Sequence, residues 1–279
     1  RAMNMAPFIF WNLAFYTIIR TQLNTNRKIE TNMENAMEFR VVTFNIHHGR
    51  GTDRKLNLDR IAQVIEKSQA DVIALNEVDK YFSRRSEYTD QLGWLSERLK
   101  LDGIFGAAKT NKVSEETDCM IREYGNALLS RFPIVDVKNH NLSVYPIRLE
   151  GRALLEVTLL IGGQWLKLYV THLSLTPFIQ SIQADMILNK IIDDHHPMIL
   201  LGDFNTWPQS KLWRKVTAKL TDVSHSFRKK PCLTFPSFRP RVRLDYIFIS
   251  HHFHISSAEV ITEDPAASDH LPLIATLKF

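Results

Sequence analysis

Cysteine is scarce. Cys119 and Cys232 are the only two in 279 residues, too few for a disulfide framework or a cysteine-built zinc site. They suffice for one bridge, so cysteine usage does not fix the compartment. No internal repeat and no low-complexity tract interrupts the chain. Long apolar runs are missing too. The most apolar stretch, residues 5–19, is broken by Asn12 and is shorter than the about 20 residues a membrane span needs. Only Arg1 precedes it as a positive charge, and no small-x-small cleavage site follows, so a signal peptide is poorly supported.

What is present is ordinary for a folded protein: 44% apolar and 23% charged residues, enough for a sizeable core. The net charge is +5 and the isoelectric point near 9.1. That balance favours anionic partners, such as nucleic acid, phospholipid or phosphorylated metabolites, without choosing among them. Residues 1–38 differ from the rest. Their apolar segment is followed by a polar linker, Thr21 to Glu38, so the folded domain is expected at 39–279. Segment 5–19 reads either as a loosely packed extension or as a membrane-surface anchor. Localisation stays open between cytoplasm and membrane surface.

The chemistry-bearing residues recur where apolar, strand-like runs end. Phe39 to Phe44 runs into Asn45-Ile46-His47-His48-Gly49. On a continuing strand His47 and His48 would face opposite ways, which suits surface or substrate contacts better than shared metal ligation. Asn57 or Asp59 caps a helix with Ile61, Val64 and Ile65 inward. Val72 to Leu75 then forms a buried strand ending in Asn76-Glu77, and strand–helix–strand implies a crossover unit. Glu77 beside Asn45 suits Mg2+, which prefers oxygen and needs few carboxylates. Asp90 to Leu99 reads as a helix with Leu92, Leu95 and Leu99 inward. Residues 106–123 read as a polar, irregular loop.

Tyr124-Gly125-Asn126 enters another strand. Arg152 opens Ala153 to Ile161, and Gly162-Gly163 turns the chain into Trp165 to Thr171, a hairpin signal. That strand ends in His172, a residue type that contacts phosphates or donates protons. A helix follows over Phe178 to His195, with Ile182, Met186, Leu188 and Ile191 at roughly helical spacing, and stops before Pro197. Met198 to Leu201 leads into Gly202-Asp203-Phe204-Asn205. A carboxylate and an amide two residues apart can share a direction and bind a hard cation, a water or a phosphate oxygen; a plain turn uses the same residues. From Trp207 to Arg243 the chain is basic, with Trp213, Phe227, Phe235 and Phe238 interleaved. That is either a phosphate-tracking surface or a solvated face. Asp245 falls inside an apolar run and needs a partner. Ser268-Asp269-His270 offers one: Asp245 accepting from His270 would fix the imidazole tautomer and raise its basicity.

Asn45, Glu77, Asn126, His172, Asp203 with Asn205, Asp245, and Asp269 with His270, each beside a strand and in this order, resemble the endonuclease/exonuclease/phosphatase superfamily, the deoxyribonuclease-I-like fold. The resemblance covers residues 39–279. It implies a four-layer α/β (α+β) sandwich of two packed, mainly antiparallel β-sheets flanked by helices. It also implies hydrolysis of phosphate esters with Mg2+ or Mn2+. By that resemblance Glu77 is the main metal ligand, with Asn45 and Asp269 nearby. Asp203 and Asn205 position or activate water and hold the phosphate. His270, oriented by Asp245, is the general base or a phosphate-stabilising group. His172 contacts the phosphate or protonates the leaving group, and Tyr124, Asn126 and Arg152 are further phosphate contacts. The Thr171-His172 pair is more similar to deoxyribonuclease, sphingomyelinase and phosphoinositide-phosphatase branches than to abasic-site endonucleases, which carry asparagine there. Phe44 to Gly49, Tyr124 to Asn126 and Arg243 to Tyr246 resemble small bacterial metal-dependent hydrolases.

The expectation is therefore a monomeric phosphodiesterase acting on nucleic acid or on a phospholipid headgroup. The basic stretch favours the first substrate and segment 5–19 the second. The alternative is a catalytically silent member of the same fold used as a phosphate- or nucleic-acid-binding module.

Overall fold

Strand side chains alternate between two faces, and here both faces are apolar. In β1 (Glu38–Asn45), Phe39 and Val41 enter one core cluster while Val42 and Phe44 enter another. In β2 (Val72–Lys80), Val72 and Ala74 join the first, and Ile73 and Leu75 the second. A strand buried on both faces lies in an inner layer. The computed structural model, which describes residues 37–114, 119–144, 151–226 and 231–279, shows what covers each face.

Two six-stranded sheets pack together. The first contains β1, β2, β3 (Asp102–Ser114), β4 (Cys119–Ser130), β11 (His254–Val260) and β12 (Leu273–Lys278), in the order β11-β12-β1-β2-β4-β3. The second contains β5 (Ile134–Asn141), β6 (Ala153–Ile161), β7 (Gln164–His172), β8 (Met198–Asp203), β9 (Thr221–Asp222) and β10 (Asp245–Ile249), in the order β5-β6-β7-β8-β10-β9. Only β1 with β2 and β7 with β8 run parallel; the other named pairs are antiparallel. The inner core joins Val41, Val72 and Leu273 of one sheet to Leu155, Ile199 and Ile247 of the other.

Helices close the outer faces. α1 (Leu58–Ser68) and α2 (Gln91–Leu99) put Ile61, Ile65, Leu92 and Leu95 against the first sheet. α3 (Pro177–Ile191) and α4 (Lys211–Thr217) put Ala184, Ile187, Leu212 and Trp213 against Leu200, Tyr246 and Phe248 of the second. The layer order is helix, sheet, sheet, helix, as the resemblance implied. Asn57 caps α1 by accepting from the Arg60 N–H, and Asp90 caps α2 through the Gly93 N–H. Gly162 and Gly163, both at positive φ, form the two-residue turn between β6 and β7, the conformation that turn demands.

Three expectations are corrected. Residues 106–123 are no irregular loop: β3 and β4 pair from Asp102↔Ser130 out to Ser114↔Cys119. From Ala107 to Lys112 and from Ile121 to Tyr124 the two strands are exposed or half-buried, so their sequence carries no alternating apolar pattern. β2 does not stop at Leu75 but continues to Lys80 past a register shift between Leu75 and Val78. In α3, Met186 is exposed and Gln180 and Gln183 are buried. Gln183 accepts from the Ser174 N–H and donates to the Leu142 carbonyl, so hydrogen bonds rather than apolarity orient that face. Among the described residues no helix is long and apolar enough to cross a membrane. Segment 5–19 lies outside the described residues.

Candidate active site

Strand register assembles the site. β7, β8 and β10 are neighbours, and their pairing sets His172 opposite Asp203 and Asp203 opposite Asp245. In the facing sheet, Asn45 pairs with Asn76 at the matching end of β1 and β2. The two strand ends meet across the sandwich. Gly202 makes the approach possible: its φ is +138° and a Cβ would fall 1.8 Å from the Thr171 carbonyl oxygen, so only glycine fits.

Asp203 is the centre. Its carboxylate accepts from Asn45 Nδ2 at 3.1 Å and from the Asn205 N–H at 2.9 Å. His172 Nε2 is 3.4 Å away and His270 Nε2 3.7 Å away. Behind His270, Nδ1 and Asp245 Oδ2 are 2.8 Å apart, the contact anticipated from sequence. The Phe235 ring packs on the His270 ring at 4.9 Å between centroids. Asn205 Nδ2 lies 3.1 Å from His172 Nε2 and donates to the Leu173 carbonyl. Asn45 also donates to Glu77 Oε1 at 3.1 Å. Its own oxygen accepts from the His47 N–H, so this amide bridges the two carboxylates. Glu77 does not sit at a strand end; it occupies the β2 irregularity at φ 58°, and the bulge re-aims its side chain.

Glu77, His172, Asp203, Asn205 and His270 line a cavity of about 550 Å3 together with Tyr124, Arg152, Asp269, Phe82, Arg85 and Lys109. Arg85 makes a two-pronged ion pair with buried Asp79, at 2.9 and 2.8 Å, and its guanidinium lies over the Phe82 and Tyr124 rings.

The electrostatics separate the titrating groups. Burial drives the Asp203 carboxyl up to about 7, with the nearby Asp245 charge adding to the rise and His270 opposing it. Burial works against charge on His270, yet Asp245 and Asp203 raise it to about 10. Burial and the Arg152 charge lower His172 to about 3. Burial also opposes charge on Glu77, but the adjacent His48 ring, His172 and Asn45 hold it well below the usual carboxylate range. Burial and the Glu77 charge keep the Tyr124 hydroxyl protonated. At neutral pH the site thus holds an ionised Glu77, a cationic His270, a neutral His172 and an Asp203 near its midpoint.

Two placements differ from expectation. His47 and His48 are not on a strand; they form a tight turn, each at φ 45°, with rings 4.4 Å apart. Asn126 is buried, bonded to Asn76, Ala153 and Val170, and does not line the cavity. The basic stretch is not one surface either. Arg243 is buried and donates to Asp222 at 2.6 Å, Lys215 pairs with Asp185, and Trp213 donates to Asp222 from the core. Residues 227–230 lie outside the described residues. Sequence reasoning missed the part played by Asn76, fully buried, which accepts from the Asp203 N–H and donates to Asn126 and the Thr171 carbonyl. Its signal was an amide ending a buried run. Phe82, Arg85, Lys109 and Phe235 carried no such signal, because only the fold brings them to the cleft.

Asp203, Asp245 and His270 bring one ligand atom each within 4.8 Å of one another, close enough to hold a metal. The carboxylates of Glu77 and Asp269 both line the cleft. An ionised carboxylate among oxygen donors fits a hard divalent cation.

The model of the Endonuclease/Exonuclease/phosphatase family matches residues 42–270. YbhP of Escherichia coli K12, an uncharacterized protein, is 28% identical over 254 residues, covering 86% of this chain and 96% of its own. An endonuclease/exonuclease/phosphatase structure from Beutenbergia cavernae superposes with a TM-score of 0.75 at 28% identity, over 87% of this chain and 72% of that one. A mannosyl-6-phosphatase from Bacteroides thetaiotaomicron shares the fold, with a TM-score of 0.70 at 20% identity, over 86% of this chain and all of that one (100%).

Proposed function

The chain belongs to the endonuclease/exonuclease/phosphatase family, and on that footing we propose that it is a divalent-cation-dependent phosphodiesterase. Mg2+ or Mn2+ is the cation, and a nucleic acid or phospholipid headgroup the class of ester. The observation that carries this reading is the Asn45 amide, which holds Asp203 and Glu77 on either side of itself at 3.1 Å each. In this reading Asp203 serves proton transfer and Glu77 cation binding.

Glu77 and Asp269 would hold the cation. The Asp203–Asp245–His270 group suits it less, since His270 already commits Nδ1 to Asp245 and the group is buried. When bound, the cation supplies positive charge to the phosphoryl and leaving oxygens. The remaining work belongs to the chain. Asp203, poised near neutrality, accepts the proton of an attacking water. His270 is cationic and donates to a phosphoryl oxygen, and Asp245 keeps its ring oriented. Neutral His172 and the Asn205 amide fix the geometry around Asp203. Arg152 and the Tyr124 hydroxyl offer donors to the oxygens on which charge develops.

The test is hydrolysis of bis-(p-nitrophenyl) phosphate with Mg2+ or Mn2+, alongside the mono-ester. The expected result is cation-dependent diester turnover, abolished in Asp203→Ala and His270→Ala. Wild-type protein inert on every ester would overturn the reading, and preference for the mono-ester would replace it with a phosphomonoesterase.

A further inference from the structure

The cleft carries cationic and aromatic side chains: Arg85 stands over Phe82 and Tyr124, and Lys109 lies 5.9 Å from the Phe82 ring centre. Three other segments that reach the cleft carry apolar side chains exposed to solvent. Leu175 and Phe178 follow His172, Trp207 follows Asn205, and Phe238 follows Phe235. Leu175, Asn205 and Phe235 themselves line the cleft. Leu175, Phe178, Trp207 and Phe238 are the four most exposed large apolar residues among those described, at 67%, 68%, 64% and 69%; the next, Trp165, is at 56%. Scattered apolar exposure is ordinary. Each of these four either lines the cleft or stands two or three residues along the chain from one that does, and apolar exposure concentrated beside one site marks an interaction surface.

Local bonding keeps these side chains outward. Pro177 begins α3 and places Phe178 on its first turn. The Ser210 N–H donates to the Trp207 carbonyl at 3.3 Å. Phe238 sits between Ser237, whose N–H donates to the Asp269 carbonyl at 2.7 Å, and Arg239, whose N–H donates to the Pro236 carbonyl at 3.2 Å. Gln180 ties the first two segments together by donating to the Asn205 carbonyl at 2.7 Å. Exposed Lys211, Arg239 and Arg241 stand in the same segments.

From this we infer that the rim docks the protein on an anionic phospholipid surface, and that the ester it hydrolyses belongs to an amphiphile lying in that surface. Aromatic side chains settle at the water–lipid boundary, and exposed cations are drawn to anionic leaflets. The head of such a substrate enters toward Arg85 and Lys109, while its apolar part stays with Leu175, Phe178, Trp207 and Phe238. Nucleic acid fits the rim less well. Leu175 offers no ring for base stacking, and Arg243, Lys215 and Trp213 are engaged within the protein. The substrate class rests on the phosphodiesterase reading; the docking does not.

Docking is read first without turnover. Full-length Glu77→Ala protein is sedimented with phosphatidylcholine vesicles, with and without phosphatidylglycerol, and its tryptophan fluorescence is quenched with brominated phosphatidylcholine. Binding should require phosphatidylglycerol. Quenching should fall by about half or more in Trp207→Phe but not in Trp165→Phe, a control roughly 20 Å away along β7. Equal quenching in both, or no vesicle binding, overturns the docking surface. In otherwise wild-type protein, Phe178→Ser/Trp207→Ser/Phe238→Ser should lose on the order of tenfold more turnover on phosphatidylglycerol vesicles than on soluble bis-(p-nitrophenyl) phosphate. Equal losses overturn the amphiphile assignment, as does salt-sensitive DNA cleavage without vesicle turnover. Vesicle binding with Trp207-dependent quenching but no ester turnover at all upholds the docking and removes the phosphodiesterase reading instead.

Discussion

The Asn76 side-chain oxygen accepts from the backbone N–H of Asp203 at 2.9 Å, and so joins the two sheets at the site itself. Its amide nitrogen donates to Asn126 and to the Thr171 carbonyl. A single buried side chain therefore satisfies partners on β4, β7 and β8. Asn76→Ala leaves these groups unpaired and should cost roughly 2–4 kcal/mol. Urea denaturation checks this, and diester turnover should fall with it because Asp203 loses its anchor.

Gly202 holds the same approach sterically. Its φ of +138° and the 1.8 Å clash of an added Cβ with the Thr171 oxygen exclude any other residue. Gly202→Ala should destabilise the protein by roughly 2 kcal/mol or more, read as a lower denaturation midpoint or as loss of soluble protein.

Glu77 should control the cation. Glu77→Gln removes the ionised ligand while keeping the Asn45 contact open. The expected outcome is loss of Mn2+ binding by calorimetry and of diester turnover by about a hundredfold or more.

The Asp203–His270 pair predicts a pH dependence of stability. Both groups have folded-state values above their ordinary ones, about 7 for Asp203 and about 10 for His270. The folded pair thus holds protons that the unfolded chain has released. That contribution is full below the unfolded values and disappears as pH rises through the folded ones. With chelator present, the Asp203 contribution should be lost between pH 3.8 and about 7 and the His270 contribution between pH 6.5 and about 10. Asp245→Asn withdraws a charge that raises His270, so the His270 loss should be complete at lower pH. Turnover should drop on the order of a hundredfold or more, because the imidazole loses its orienting carboxylate.

Much of the site was legible because each polar cluster interrupts or ends an apolar run, where a buried polar side chain costs free energy until a partner or a ligand satisfies it. Asp245 against His270 could be anticipated from the need to partner a carboxylate inside a buried strand, and the 2.8 Å contact is there. Asn126 was misplaced because an amide buried for architecture and an amide facing a phosphate look alike in one dimension. The same ambiguity hid Asn76. The basic stretch misled because charge along the chain says nothing about which cations are paired: Arg243 turns inward to Asp222.

The sequence by itself determined the apolar inner strands and the residue types available for chemistry, since these follow from local periodicity and from the cost of burying polar groups. Only the tertiary structure decided which groups meet. Register placed His172, Asp203 and Asp245 side by side, and a bulge turned Glu77 into the cleft. The low-dielectric enclosure then set Asp203 and His270 apart from ordinary side chains. Those outcomes depend on contacts between residues as far as 158 positions apart, and no local pattern encodes a distance of that kind.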